Sequence, residues 1–421
     1  MTLAVEVLPV RSAHHQRGPS MNSTTQPRLT TLTTFATMLV CVIAGGYAIF
    51  GERLISALYS GEIAFPVGDF FSAERPLQFY LLKANRIVAN WGMLLLAGCC
   101  TMYALLYRLK HPASSLTLVD WSLWALFMAI GCAFILLNGY EGDWYRLGQI
   151  LGWTGAPPFQ HRVLFVWLAQ LLRALLPDMP VLGAYLVTQI VALALALLAV
   201  RLFCTLFIRR DLAFTAQFLA LAMWAPTVSY YTFYDIGIVA VYALALFCLF
   251  QRRFGAYLVI FALGTYNHEN SLFLMAACLF AWFSRMPMRQ LAALLAAQLA
   301  LYILVRLSLF HTLPTHAAWQ SGKLAQNVEM ILHTPGRVMT SLAPLLLWYA
   351  AAAAGLRTAP VMLRRATIIL PCLVLTSIVV GQLNEARLFN AFIPVTVALL
   401  CHQIQLRAGF AAARPANAAN A

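Results

Sequence analysis

The chain has 421 residues, of which 62% are hydrophobic and only 10% charged, far below the roughly 25% charged of a soluble globular protein. With a mean hydropathy of +0.77, no stretch is polar enough to form a separate soluble domain or a long disordered tail, so the composition implies a polytopic membrane protein. The net charge of +14 comes from 25 Arg and 3 Lys scattered at the ends of apolar runs, a pattern that sets topology and excludes a nucleic-acid-binding face.

Residues 1–31 are polar, carry Arg11, Arg17 and Arg28, and are expected to be a cytoplasmic amino-terminal segment. The first apolar run begins near Leu32, and the lack of a small-residue cleavage site predicts a retained span over a removed signal peptide. A helix crossing about 30 Å of hydrocarbon needs roughly 20 apolar residues. On that ruler an N-terminal hairpin, 32–116, holds spans 32–51 and 88–108 around an external loop. A core, 117–310, follows with spans 117–138, 181–207, 213–230, 234–251, 256–267, 270–284 and 289–310, and with an external loop at 139–162. After an external loop, 311–337, come spans 338–356, 361–381 and 387–405, within a C-terminal helical region 338–406, and a cytoplasmic tail 407–421. The prediction is an all-α transmembrane helical bundle of about 11–12 spans.

With the amino terminus inside, the basic junctions Arg108/Lys110, Arg209/Arg210, Arg252/Arg253, Arg285/Arg289, Arg357/Arg364/Arg365 and Arg407/Arg414 all fall on the cytoplasmic side. That topology requires residues 163–207 to cross an odd number of times. The run 163–177 is then surplus. It is short, carries Gln170 and Arg173 and stops at Pro177-Asp178, and it reads as a juxtamembrane helix or a re-entrant piece.

Nine cysteines lie almost entirely within apolar runs, as small hydrophobes, with no CxxC pair to suggest a disulfide framework or a metal site. No Walker sequence, GxGxxG turn or GxSxG elbow occurs. The histidines of 311–337, at 311, 316 and 333, match no familiar zinc spacing.

The acids are the most informative feature. From 212 to the end there are only Asp235, Glu269, Glu329 and Glu385, and the topology puts all four on the outer side. Asp235, Glu269 and Glu385 each sit at the outer end of an apolar helix, where a carboxylate is costly without a partner or a cavity. The expectation is one polar cavity at the outer face. Its candidates are Tyr140-Glu141-Gly142-Asp143-Trp144-Tyr145-Arg146, where Asp143 is placed to act as a general base, and Pro157-Pro158-Phe159-Gln160-His161-Arg162, where an arginine suits a lipid phosphate. Tyr234-Asp235 stands at a helix start, where Asp235 serves equally as a cap. Thr265-Tyr266-Asn267-His268-Glu269-Asn270 breaks an otherwise continuous apolar run, and Asn384-Glu385-Ala386-Arg387 places an acid and a base at another helix mouth.

The order of these pieces over about 117–283 resembles the GT-C superfamily of integral-membrane glycosyltransferases. Glu141-Gly142-Asp143-Trp144-Tyr145 is similar to the family's acidic external loop, Pro157-Pro158-Phe159 with 163–177 to its Pro segment and following helix, and Gly264-Thr265-Tyr266-Asn267-His268-Glu269 to its later polar break. The resemblance implies transfer of a sugar from a polyprenyl-phosphate carrier to a glycan, lipid or protein acceptor at the periplasmic face of a bacterial inner membrane. Carried over, it makes Asp143 the catalytic acid or base, with Glu141 beside it and Asp235, His268 and Glu269 around it; the outer-face cavity reading adds Arg162, His161, Tyr234, Glu385 and Arg387 as substrate-binding candidates. It also leaves open a divalent cation, Mg or Mn, on the loop acid. Gly68-Asp69-Phe70 is a competing acidic loop, and Asp69 takes the catalytic part if the core begins at 32. Two other readings use the same residues: a transporter or lipid flippase in which buried acids and His268 relay protons or hold an ion, and a non-catalytic envelope assembly protein.

Overall fold

A computed structural model describes residues 46, 50–60, 62, 76–110, 117–139, 161–224, 227, 234–313 and 322–407. The fold is an all-α helical bundle. After a helical stretch over 50–60 come α1 (Leu77–Lys110), α2 (Leu118–Gly139), α3 (Leu164–Leu175), α4 (Val181–Cys204), α5 (Arg210–Trp224), α6 (Asp235–Phe250) and α7 (Phe254–Asn267). A 3-10 turn, Glu269–Leu272, leads into α8 (Phe273–Trp282), followed by α9 (Met288–Thr312), α10 (Leu324–His333), α11 (Pro335–Ala353), α12 (Val361–Ala366) and α13 (Ile369–Val379). A second 3-10 turn, Ala386–Phe392, opens α14 (Ile393–Arg407). Five stretches are long and apolar enough to cross a membrane, Leu118–Leu136, Val181–Cys204, Met288–Thr312, Val361–Val379 and Ala386–Arg407, with shorter apolar helices between them. This is a membrane protein.

The helices run back and forth between two ends of the bundle. At one end Arg108, on the last turn of α1, donates through Nε to Asp120 at 3.1 Å and through Nη2 to its other oxygen, and both side chains are buried. The Thr117 N–H and hydroxyl also donate to that carboxylate. At the same end the Arg209 N–H donates to Gln405 of α14, and Arg365 donates to the carbonyls of Ala281 and Phe283 where α8 finishes. A basic side chain on the last carbonyls of a helix satisfies acceptors that the helix itself leaves open. The opposite end gathers residues 161–162, 234–235, 265–272, 323–327 and 377–390, and holds the candidate site.

Helices α5 and α14 form the centre. Every residue from Asp211 to Trp224 is buried, and 83% of the Ala386–Arg407 stretch is buried against 17% for α9. Small residues such as Ala213, Ala216, Ala220 and Ala222 let neighbouring backbones approach closely, the usual basis of helix association where lipid supplies no hydrophobic drive. Around them α4 packs on α6, α6 on α7 and α1 on α5.

Helix α3 does not cross. Its 12 residues span only about 18 Å, the Val163 N–H before it donates to Tyr266 O at 3.1 Å, and its far end turns within six residues into the start of α4. Both of its ends therefore lie at the site end. It buries Phe165, Val166 and Ala169 and leaves Leu168, Leu171, Leu175, Gln170 and Arg173 exposed, the mixed surface of an interfacial helix. Where α3 crosses α6, a Cβ on Gly237 would overlap the Phe165 ring and lie 3.1 Å from Asn267 Nδ2. Gly237→Ala should therefore cost about 1–3 kcal/mol through overpacking, read as a lowered unfolding midpoint in detergent; an unchanged midpoint would show that α3 shifts freely on its bed.

Some expected boundaries move. The span expected at 88–108 begins at Leu77, making α1 34 residues long, and of the span expected at 213–230 the helix is described as far as Trp224. Among its described residues, the expected external loop 311–337 is largely helical, because α9 runs to Thr312, α10 occupies Leu324–His333 and α11 starts at Pro335. The amino-terminal segment, most of the span at 32–51 and the tail beyond 407 lie outside the described residues.

Candidate functional site

The polar break between α7 and α8 is built from side chains that replace the lost helical hydrogen bonds. His268 is extended (φ −162°, ψ 140°), and its Nδ1 accepts from the Asn270 N–H at 3.1 Å, capping the 3-10 turn. Thr265 and Ser271 share a hydroxyl hydrogen bond of 2.9 Å, and Tyr242 donates its hydroxyl to the Asn270 carbonyl. Asn267 Nδ2 donates to Tyr234 O at 3.0 Å, tying the break to the start of α6. An irregular backbone at membrane depth survives only where protein satisfies it.

Tyr234 is the hub. It is fully buried, with the Arg162 guanidinium carbon 4.4 Å from its ring centre and that of Arg387 at 5.7 Å. The His268 ring meets it edge-on at 5.4 Å. Each arginine also holds a carboxylate. Arg162 donates through Nε to Glu269 at 3.1 Å and through Nη2 to its second oxygen. Arg387 donates to the Tyr234 hydroxyl and to Glu385, both at 2.7 Å, with Asp235 3.7 Å away. Bidentate guanidinium–carboxylate geometry fixes orientation as well as charge.

These groups border a cavity of about 220 Å³ lined by Arg162, His268, Glu269, Lys323, Glu385 and Arg387 among others, together with Leu373, Thr376 and Ser377 of α13 and Val380 just after it. Of the residues singled out in the sequence, Arg162, His268, Glu269, Glu385 and Arg387 face this cavity. Tyr234 and Asp235 stand behind it and hold its arginines. His161 does not line it: the imidazole is fully buried, edge-on to Phe310 at 4.5 Å. Burial, reinforced by the nearby Arg306 charge, lowers the His161 pKa to about 4 and keeps the ring neutral, although Glu269 opposes the shift. His161 is thus set apart from the cavity that its neighbour Arg162 lines. Asp143, Glu141 and Asp69 lie outside the described residues.

Two cations were not singled out as site residues. Lys323 reaches the cavity from the start of α10, and Arg306, on α9, sits behind Glu269 and His268. An arginine inside the apolar run 289–310 is a signal in itself. Among the described residues no three His, Cys, Asp or Glu side chains converge as a metal site, and the Glu269 carboxylate beside His268 has both oxygens engaged by Arg162. The loop acid on which the family resemblance left open a Mg or Mn lies outside the described residues.

The chain matches no family model, no curated protein and no solved structure. What the site does rests on its own geometry: paired cations held rigid against an aromatic ring, at one end of a membrane-embedded bundle, facing a cavity.

Proposed function

We propose that the protein is a membrane glycosyltransferase of the GT-C kind, moving a sugar from a polyprenyl-phosphate donor to a glycan, lipid or protein acceptor at the periplasmic face of a bacterial inner membrane. The observation that carries this reading is the pair Arg162 and Arg387 at the cavity wall, both held by Tyr234, one against its ring and the other at its hydroxyl. Rigid guanidinium groups suit a phosphate leaving group because they need no reorganisation as its charge grows. The acceptor oxygen would attack the anomeric carbon, the bond from that carbon to the phosphate oxygen would break, and a base would take the hydroxyl proton. Glu269 and Glu385 are engaged with arginines, so the base is assigned to the external-loop acid Asp143, with Glu141 beside it and Asp69 as the alternative. The interfacial α3 supports a membrane-dissolved donor, since it places Arg162 just before its first turn.

The test is native mass spectrometry of the purified full chain for bound lipid-linked sugar, followed by turnover of a polyprenyl-phosphate hexose. Co-purified lipid-linked sugar and its consumption are expected. Ion-coupled transport in vesicles with no sugar release would replace this reading with the transporter one.

A further inference from the structure

At the end of the bundle opposite the cavity, two adjoining turns carry left-handed backbone at residues other than glycine. Among the described residues these are Arg252 (φ 58°) and Ser284 (φ 65°). The Arg252 guanidinium carbon lies 5.1 Å from the ring centre of Trp282, two residues before Ser284, and Phe254 meets the same ring edge-on at 5.8 Å. Arg252 closes α6. The Arg253 N–H donates to Cys248 O at 2.9 Å and the Arg252 N–H to Leu249 O at 3.2 Å, a paired helix ending whose left-handed position glycine fills at least cost. Ser284 lies in the turn between α8 and α9, after Phe283 (φ −53°, ψ 128°), with the Arg285 N–H donating to Trp282 O at 2.9 Å. A turn of that shape also favours glycine at the position Ser284 holds. At both places the sequence keeps a polar side chain instead, and strain retained at two adjoining positions marks side chains with a use.

The surface around them is positive. Arg252, Arg253, Arg285 and Arg289 are exposed, and no carboxylate pairs with them among the described residues. Arg365 of α12 fixes the second turn, donating to the carbonyls of Ala281 at 3.3 Å and Phe283 at 2.8 Å and to Ser284 Oγ at 3.4 Å. The sequence offers little to offset the arginines. From Leu212 onward its acids are Asp235, Glu269, Glu329 and Glu385, all on elements of the cavity end, while Asp120 and Asp211 are held by Arg108 and Arg209. In the same helices Val259, Phe280, Phe283 and Met288 are exposed, and α9 is the least buried of the five spanning stretches. The arginines therefore crown a lipid-facing wall, at the height where guanidinium groups meet headgroups. A soluble acidic partner would leave that apolar wall bare, whereas a phospholipid covers both parts. Four arginines on two adjoining turns also exceed what a single phosphodiester occupies.

We propose that Arg252, Arg285 and Arg289 form a lipid site in the leaflet opposite the cavity, taking a phospholipid with two phosphates in one headgroup, as in cardiolipin. The phosphates lie on the guanidinium groups of the two turns, and the acyl chains lie against Phe283 and Met288. Basic clusters between spanning helices suit such headgroups. The site bridges α6–α7 to α8–α9, the helices whose other ends carry Asp235, the break at 268–272 and Arg306, so its occupant ties these helices together. The inference is independent of the sugar-transfer reading.

The experiment is native mass spectrometry of the full chain with tetraoleoyl cardiolipin or phosphatidylglycerol, alongside unfolding in detergent. Cardiolipin should be retained about tenfold more than phosphatidylglycerol at equal phosphate, because its second phosphate binds intramolecularly, and it should raise the unfolding midpoint. Arg252→Gly separates a binding role from a structural one. It relieves the left-handed backbone, so the lipid-free midpoint should hold, while cardiolipin retention should fall about fivefold, the scale of one arginine at a charged membrane surface. Arg285→Gln should lower retention by a similar factor, and the double variant by about twentyfold. Arg210→Gln removes an exposed arginine of the same end from α5 and should leave retention within about twofold, since charges beyond a screening length matter little. Equal retention of phosphatidylglycerol at matched phosphate, or unchanged cardiolipin retention in the double variant, would overturn the proposal. So would an equal fall in Arg210→Gln, which would reduce the patch to diffuse positive charge.

Discussion

Arg387→Ala should cost about 3–5 kcal/mol of folding stability, measured as the shift of an unfolding transition in detergent, because it strands carboxylates that the native state has desolvated. Arg387 is 4% exposed, and it is the cation bonded to Glu385, beside Asp235 and hydrogen-bonded to the Tyr234 hydroxyl. Asp235 is 1% exposed, so water cannot take the place of the missing guanidinium. The size of the effect comes from the uncompensated acid more than from the intrinsic worth of the pair. Adding Asp235→Asn to Arg387→Ala should therefore recover part of the loss, although Asp235→Asn alone destabilises. Arg387→Lys should fall between, since an ammonium keeps the charge and loses the fork. A loss under about 1 kcal/mol, or no recovery in the double variant, would mean that the cluster contributes little to the fold.

If the protein is the glycosyltransferase proposed above, Arg162→Lys should lower sugar transfer by about 100-fold or more while leaving the protein folded. That is the scale of removing one preorganised group from a developing negative charge. Lysine retains the charge but cannot bond Glu269 through two nitrogens or lie flat against Tyr234, so what this substitution isolates is orientation. The comparison to make is of kcat with KM: loss in kcat locates the interaction in the transition state, and loss in KM alone locates it in donor binding. Turnover within about threefold of the unaltered protein would reduce Arg162 to a structural tie for the Glu269 turn.

Five of the expected spans, 117–138, 181–207, 289–310, 361–381 and 387–405, were legible because each is a long apolar run that returns as a long apolar helix or helical stretch, and the short polar-flecked run 163–177 was already marked as the piece apart, now α3. The break at 265–270 was legible for a similar reason: Asn267, His268, Glu269 and Asn270 in an apolar stretch have no stable place except inside protein. Pairings were not. Nothing in a periodicity says that Arg162 meets Glu269, 107 residues away, or that Tyr234 contacts two guanidinium groups. Helix α10 escaped because its ten residues fall below the length that marks a span and mix apolar with polar positions, and its one buried residue is an asparagine. Lys323 escaped with it. Arg306 escaped because a single arginine within a long apolar run changes the run's average very little.

The position of α14 bears on how the molecule is made. Together with α5 it is the central pillar of the bundle, yet the ribosome delivers it after every other described element, and the 3-10 turn that introduces it carries Arg387. Domains form as the chain emerges, so here the earlier helices must wait in the bilayer around an incomplete middle. The cavity wall can close only when that final segment slides in, which means that a stalled or truncated product would lodge in the membrane without a finished site and release nothing.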